Sequence, residues 1–423
     1  MAHNLDKHWK FRIISSIYIG YAAYYLSRKA FTYIAPFLII DLSITKIDIG
    51  VVSSILSLTY GTSKLISGIL CDYFNSRYFL AFGLIATGLC AILCGFSSSL
   101  QAFAILGGLN GWFQGFGWPA CTNLLTNYFN KRERGKWWSF CSTAHTVGGA
   151  IIAYISVYYA KNYNWQSGII VPGTLCIIIG LWLINRLKNL PEVNYVDQFQ
   201  ANPLIHQQEL SSQNSLKLKH ILLEHVFSNG YVWLLAFSYF FTYIIRTAVS
   251  DWLPLFLVEE KEYSIADTVI CVFLFEIGGF IGILAAGWGS DYLFQGRRIP
   301  LAILSFLIMF FFIMVLWYLP SDRFIINFII IQCIGCLVFC PQMLIGLAAA
   351  ELVVKKAVST SNGFVGFFGY MGSAVAGYPL GVIIEIYGWY NFILVLVMCG
   401  ILSLIALFHM FIYDWKTLNL AND

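Results

Sequence analysis

Arg28 and Lys29 stand side by side in "YAAYYLSRKAFTYIAP", and Arg246 stands in "YIIRTAVSDW", two otherwise apolar stretches. A charge at the centre of a bilayer-spanning helix costs roughly 2.5–3.5 kcal/mol on insertion scales. The guanidinium is a planar fork whose donors match phosphate oxygens two at a time. Two forks facing each other would hold a phosphate between them, and the bound anion would offset the cost of burying them. At 1.5 Å per residue, Arg28 lies about 24 Å along its helix from Arg12, and Arg246 about as far from the start of its own. Both therefore reach mid-membrane. The competing explanation is a structural ion pair within one half of the chain.

Lys29 is rotated about 100° from Arg28 around the helix and cannot easily share its role. A buried cation needs a partner. Asp251 and Glu276 are the two candidates, and a pair that forms in one conformation and releases in another would act as a gate. A constant structural pair is the alternative. Lys64 lines the same pocket or extends to the cytoplasmic edge. His145, in "STAHTVGGAI", is either a satisfied polar group or an intramembrane titratable group facing the pocket. Tyr21, Tyr25, Tyr60, Trp118, Tyr243 and Tyr370 surround these positions. Tyrosine packs and donates a hydrogen bond at once, which suits a phosphate or a sugar hydroxyl. Tyr25 and Tyr243 each precede a key arginine by three residues on one helical face. With 25 tyrosines and 13 tryptophans in the chain, most of the others belong to the core or the interfacial belt.

The elements that must position these groups are membrane helices. The chain has 423 residues, 59% hydrophobic and only 11% charged, with mean hydropathy +0.73. Soluble domains carry about 25% charged residues, so a soluble globule of this length is excluded. Twelve apolar spans are expected near 12–38, 48–72, 78–97, 101–128, 136–160, 165–186, 230–257, 265–292, 300–319, 324–351, 357–384 and 389–413. The polar stretch 187–229 separates an N-terminal six-helix bundle, 1–186, from a C-terminal one, 230–423. Lys7, Lys10 and Arg12 precede the first span as in a signal peptide, but no small-residue cleavage site follows, so this reads as an uncleaved helix.

Basic residues mark the cytoplasmic side. Arg77, the run Lys131, Arg132, Arg134 and Lys136, then Arg297, Arg298, Lys355 and Lys356 fall on one side. Lys46, Lys161, Lys261 and Arg323 fall on the other. Both termini and the central loop are thus expected in the cytoplasm. The two halves also repeat. Gly68 to Asp72 ("GILCD") and Gly287 to Asp291 ("GWGSD") are offset by 219 positions, Arg28 and Arg246 by 218, and Pro119 and Pro341 by 222. Parallel six-helix halves around a midplane site suit a secondary transporter. An ion pair within one half would not explain why the two arginines respect this repeat.

The G-x-x-x-D segments after spans two and eight resemble the cytoplasmic loop signature of the major facilitator superfamily. In the first copy Tyr73 stands where a basic residue is usual and Asn75 where glycine is usual. "GYAAYYLSRKAF", "GWFQGFGWPAC", "KRERGKWWSF", "STAHTVGGAI", "YIIRTAVSDW", "AGWGSDYLFQGRR" and "CPQMLIGLAAAEL" together resemble the organophosphate:phosphate antiporter family over nearly the whole chain. That resemblance implies twelve transmembrane helices in a bacterial cytoplasmic (inner) membrane. It implies exchange of a sugar phosphate, such as glucose 6-phosphate, for inorganic phosphate, with Arg28 and Arg246 as the phosphate-binding pair. Asp72, Arg77 and Asp291 take gating positions. Span eleven lacks the acidic–basic pair of some glucose 6-phosphate importers, which leaves the sugar open.

Two other functions fit the sequence. A membrane sensor could use the same pocket to report external sugar phosphate to a kinase. A proton-coupled symporter could use Glu276 or His145, though it would not need two midplane arginines. No H-E-x-x-H, P-loop or nucleophile elbow occurs, so neither an enzyme nor an ATP-driven pump is expected, nor a metal, cofactor or nucleic-acid partner. Cys333-Ile-Gly-Cys336 has a redox spacing but lies in an apolar run and reads as packing.

Overall fold

The computed structural model describes residues 7–73, 75–129, 137, 140–188, 228–353 and 358–422. Among them the chain forms fourteen helices in sequence: α1 (Lys7–Tyr33), α2 (Ala35–Leu42), α3 (Lys46–Tyr73), α4 (Ser76–Gly95), α5 (Leu100–Gln114), α6 (Gly117–Tyr128) and α7 (Ala144–Asn162). Then come α8 (Ser167–Lys188), α9 (Gly230–Glu259), α10 (Ile265–Tyr292), α11 (Ile299–Tyr318), α12 (Phe324–Glu351), α13 (Val358–Val375) and α14 (Tyr378–Asn422). Among the described residues eight stretches of helix are long and apolar enough to cross a membrane by length and composition. One of these, Gly363–Ile412, is 50 residues long, enough for two passes. They meet at Gly388, whose φ of 78° is a left-handed conformation that glycine adopts without strain. The pairs α1–α2 and α5–α6, with α3, stand where three more of the expected spans fall. These three carry Arg28, Lys29, Lys64, Asn110 and Gln114.

The helix breaks follow local chemistry. Pro36 stands in the first turn of α2, where a missing N–H costs nothing, so span one divides at Ile34. Pro254 lies inside α9, eight residues after Arg246, as Pro36 lies eight after Arg28. Some loops end in side-chain caps: Ser99 accepts from the Ala102 amide at 3.3 Å, Asn229 from Tyr231 at 3.0 Å, and Ser264 from Asp267 at 3.2 Å. Each satisfies a backbone donor that the first helical turn leaves free.

Within the first half α4 packs on α8, α3 on α5, and α1 on α7 and α8; in the second, α10 packs on α12, and α9 on α13 and α14. The halves meet along two seams, α3 against α13 and α14, and α7 against α10. In the first seam Gly50 lies on the backbone of Gly377. Ser54 donates to the Ala374 carbonyl at 2.5 Å and accepts from the Tyr378 amide at 2.7 Å. Lys46 pairs with Glu259 at 2.9 Å, and its amide donates to Glu385 at 3.2 Å. A Cβ on Gly50 would sit 2.7 Å from the Gly377 oxygen, whereas one on Gly230 would meet nothing within 4 Å. Overpacking of this kind costs about 1–3 kcal/mol. Gly50→Ala is therefore expected to lower the melting midpoint in detergent by a few degrees, and Gly230→Ala to leave it in place. Equal midpoints for all three proteins would mean the seam does not hold the halves together.

Candidate functional site

The turn of α1 that carries Arg28 is clamped from behind. Gln114 on α5 donates to the Tyr24 carbonyl at 2.9 Å and to the Ser27 hydroxyl at 3.2 Å. Asn110 donates to the Ser27 carbonyl at 3.2 Å, and the Tyr24 hydroxyl donates to the Leu80 carbonyl at 2.8 Å. All these groups are buried. Buried polar groups persist only when bonded, so this lattice fixes the rotation of α1 and the direction in which Arg28 points. Nothing in the sequence signals it, because Asn110 and Gln114 sit among the glycines of a close-packing motif.

Arg28 projects into a ring of aromatic side chains contributed by both halves. Its guanidinium carbon lies 5.2 Å from the Tyr25 ring centre, 4.5 Å from Tyr60 and 5.7 Å from Tyr370. It also donates to the Tyr25 hydroxyl at 3.3 Å. Tyr25 lies 5.6 Å from His145, and His145 lies 5.4 Å from Phe339. Arg246 stands over Phe339 at 5.1 Å and Tyr243 at 5.4 Å. Tyr243 returns to Tyr370 at 5.4 Å, which closes the circuit at Arg28. Lys64 lies over the Tyr370 ring at 5.2 Å, and Tyr60 packs on Tyr370 at 4.2 Å. Tyr21 extends the wall, 5.9 Å from Tyr25 and 5.0 Å from Trp118. The sequence candidates Arg28, Arg246, Lys64, His145, Tyr25, Tyr60, Tyr243 and Tyr370 thus form one cluster, with Tyr21 and Trp118 beside it. Phe339, between His145 and Arg246, was not foreseen from sequence.

Among the described residues the cations of this cluster have no direct anionic partner: no carboxylate lies within ion-pair distance of Arg28, Arg246 or Lys64. Cation–π contacts contribute about 0.5–2 kcal/mol each, less than the cost of holding several cations in a membrane interior. Arg246 is 6% exposed, and its Nε has no hydrogen-bond partner. The His145 Nδ1 donates to the Ser142 carbonyl at 2.5 Å, while its buried Nε2 is unpartnered. The cluster is chemically suited to a multiply charged anion with acceptor oxygens.

Lys29 is different. Its ammonium is bonded to Asp251 and donates to the Ser250 hydroxyl at 2.7 Å, joining α1 to α9. Glu276 is within electrostatic reach of Lys29 but not bonded to it. Its carboxyl instead lies against Gly149, where an added Cβ would meet it at 2.6 Å. Of the two partners the sequence left open, Asp251 is the bonded one in this conformation.

The gating candidates lie away from the ring. Arg77 donates to the Leu187 carbonyl at 3.2 Å and so joins α4 to α8. Asp291 is bonded to Arg298, which also holds Glu351 at 3.0 Å and the Ser290 hydroxyl at 2.6 Å. Burial lowers the Arg298 pKa, but hydrogen bonds to Glu351 and Asp291 outweigh it and hold the value above the ordinary one. This knot ties together the ends of α10, α11 and α12. The Asp72 side chain and the basic run 131–136 lie outside the described residues, as do Lys355 and Lys356.

Residues 17–377 match the family model for the Major Facilitator Superfamily, and the chain belongs to that superfamily. Its relatives place it within the organophosphate:phosphate antiporter family. It is 42% identical to a "probable hexose phosphate transport protein" of Chlamydia trachomatis, over 97% of this chain and 92% of that protein. It is 39% identical to the membrane sensor protein UhpC of Escherichia coli, over 95% and 92%. It is 34% identical to a glycerol-3-phosphate transporter of Bacillus subtilis, again over 95% and 92%. The fold is similar to a bacterial homologue of the human lysosomal transporter Spinster, crystallised in an inward-facing, occupied conformation. There the TM-score is 0.71 at 14% identity, over 97% of this chain and 98% of the other. The protein is therefore a multi-pass membrane transporter-fold chain and not an enzyme.

Proposed function

We propose that the protein exchanges an organic phosphate, a hexose phosphate such as glucose 6-phosphate, for inorganic phosphate by alternating access. The observation that carries this reading is the cluster of three cations, Arg28, Lys64 and Arg246, with no carboxylate in ion-pair distance among the described residues. The relatives named as transporters of hexose phosphate and glycerol 3-phosphate support the choice of anion. In this reading Arg28 and Arg246 grip the phosphoryl oxygens from the two halves. Lys64 adds charge, and the tyrosines donate to oxygens or stack on the organic part. His145, protonated on Nδ1, offers the Nε2 lone pair to a protonated phosphate oxygen. With the site empty the two arginines repel, which opposes closure; the anion cancels the repulsion and lets the halves rock. Obligate exchange follows without a second energy source. Lys29–Asp251 joins the halves in one state and separates in the other. Arg77, and Asp291 with Arg298, steady the helix ends on the side that the basic residues mark as cytoplasmic, with both termini on that side, in a bacterial inner membrane.

The sensor relative gives the second reading specific support: the same pocket would bind external sugar phosphate and signal to a kinase. Uptake of labelled phosphate by proteoliposomes separates the two. Uptake that requires internal phosphate or hexose phosphate is the expected result. Saturable binding of sugar phosphate with no exchange would favour the sensor.

A further inference from the structure

We propose that Gln342 on α12 is a specificity-determining residue that reads a hydroxyl of the organic phosphate. This rests on the anion site of the preceding section. Gln342 is three residues from Phe339 and so shares its helical face. Phe339 touches both His145 and Arg246, which turns that face to the site. The Gln342 Nε2 donates to the Tyr243 hydroxyl at 3.3 Å. The Tyr239 hydroxyl donates to the same oxygen at 3.4 Å. Tyr243 is thus an acceptor twice over, and its own proton is free to donate. The Gln342 Oε1 is buried and has no partner. A buried unbonded carbonyl is uncommon and leaves an acceptor for a ligand or water to fill.

The chemistry around it explains why a ligand hydroxyl suits. Arginine and lysine only donate hydrogen bonds, and phosphate oxygens accept them. A sugar hydroxyl also has a proton to place, and nothing cationic can take it. Asp251 is committed to Lys29, and Glu276 lies against Gly149. A carboxylate beside the phosphate would also repel it. The carboxamide oxygen is an acceptor with no net charge, so it takes the hydroxyl proton without opposing the anion. The free Tyr243 proton next to it can return a hydrogen bond to the hydroxyl oxygen. Together they form a donor–acceptor pair for one hydroxyl at the edge of the phosphate site. Inorganic phosphate would leave this pair unused.

The test measures phosphate:phosphate exchange in proteoliposomes, with hexose 6-phosphate and its singly deoxygenated analogues as competitors. For Gln342→Leu, phosphate half-saturation is expected to stay within about twofold of the parent, while the inhibition constant for hexose 6-phosphate rises about tenfold, the worth of one neutral hydrogen bond. In the parent, one deoxy analogue should bind about tenfold more weakly than its hydroxylated form. That difference should vanish in the Gln342→Leu protein. If Gln342 only braces Tyr243, both constants move together, and that result overturns the proposal. So does a parent that treats every deoxy analogue like hexose 6-phosphate, a measurement that needs no variant to fold. Absence of phosphate exchange in the parent would overturn the transport reading itself.

Discussion

Arg28→Lys and Arg246→Lys are each expected to abolish exchange, with at least about a hundredfold loss, in proteins that still insert and purify as the parent does. Lysine preserves the charge but not the planar fork. Hydrogen bonds to charged groups contribute about 1.5–3 kcal/mol each, so replacing a two-point grip by a single point loses roughly a factor of 100. Insertion should survive because the positive charge, the aromatic contacts and the lattice behind α1 all remain. The loss should also be similar at the two positions, since each supplies one side of the same anion. Near-parental exchange by either variant would show that the anion does not depend on both forks.

Lys29→Ala is expected to cost about 3 kcal/mol of stability, toward the lower end for a broken buried pair. The Lys29 and Asp251 side chains are 10% and 19% exposed, so some water reaches the pair and moderates the penalty. The damage comes from the carboxylate left behind, which gives the prediction its sharper form. Lys29→Ala/Asp251→Asn should recover folded protein and melting midpoint relative to Lys29→Ala alone. Lys29→Ala/Glu276→Gln should recover less, because Glu276 is not bonded to Lys29. Size-exclusion yield and thermal unfolding in detergent measure both. Equal recovery by the two double variants, or none by either, would mean that the ion pair is not the unit lost.

The physical reasons why sequence reached some of this site and not the rest are separate. Arg28 and Arg246 were legible because a charge inside an apolar run is costly and because the halves repeat with one offset. Lys64, His145 and the tyrosines were legible as polar or aromatic positions on the same spans. The partner of Lys29 was not, because helical rotation gives a direction around one axis and says nothing of which carboxylate on another helix lies within reach. Gln342, Asn110 and Gln114 were missed because an uncharged amide leaves no mark in charge or hydropathy. Their roles exist only through the neighbours they find. Arg298 was seen as a topological marker and Asp291 as a loop signature, yet the bonds among Arg298, Asp291 and Glu351 depend on three helix ends meeting. The breaks at Ile34, Gly115–Phe116 and Ala376–Gly377 were likewise invisible, since a proline signals a bend but not how the chain resumes.

The central claim is that one anion is held between the two arginines, and a heavy phosphate analogue tests it most directly. Arsenate has the shape and charge of phosphate and scatters strongly enough to be located in a crystallographic anomalous map. The expected result is a single peak within hydrogen-bonding distance of both the Arg28 and the Arg246 guanidinium groups, lost when either is changed to glutamine. A peak bound to one arginine alone, or a peak elsewhere with the central ring empty, would contradict it.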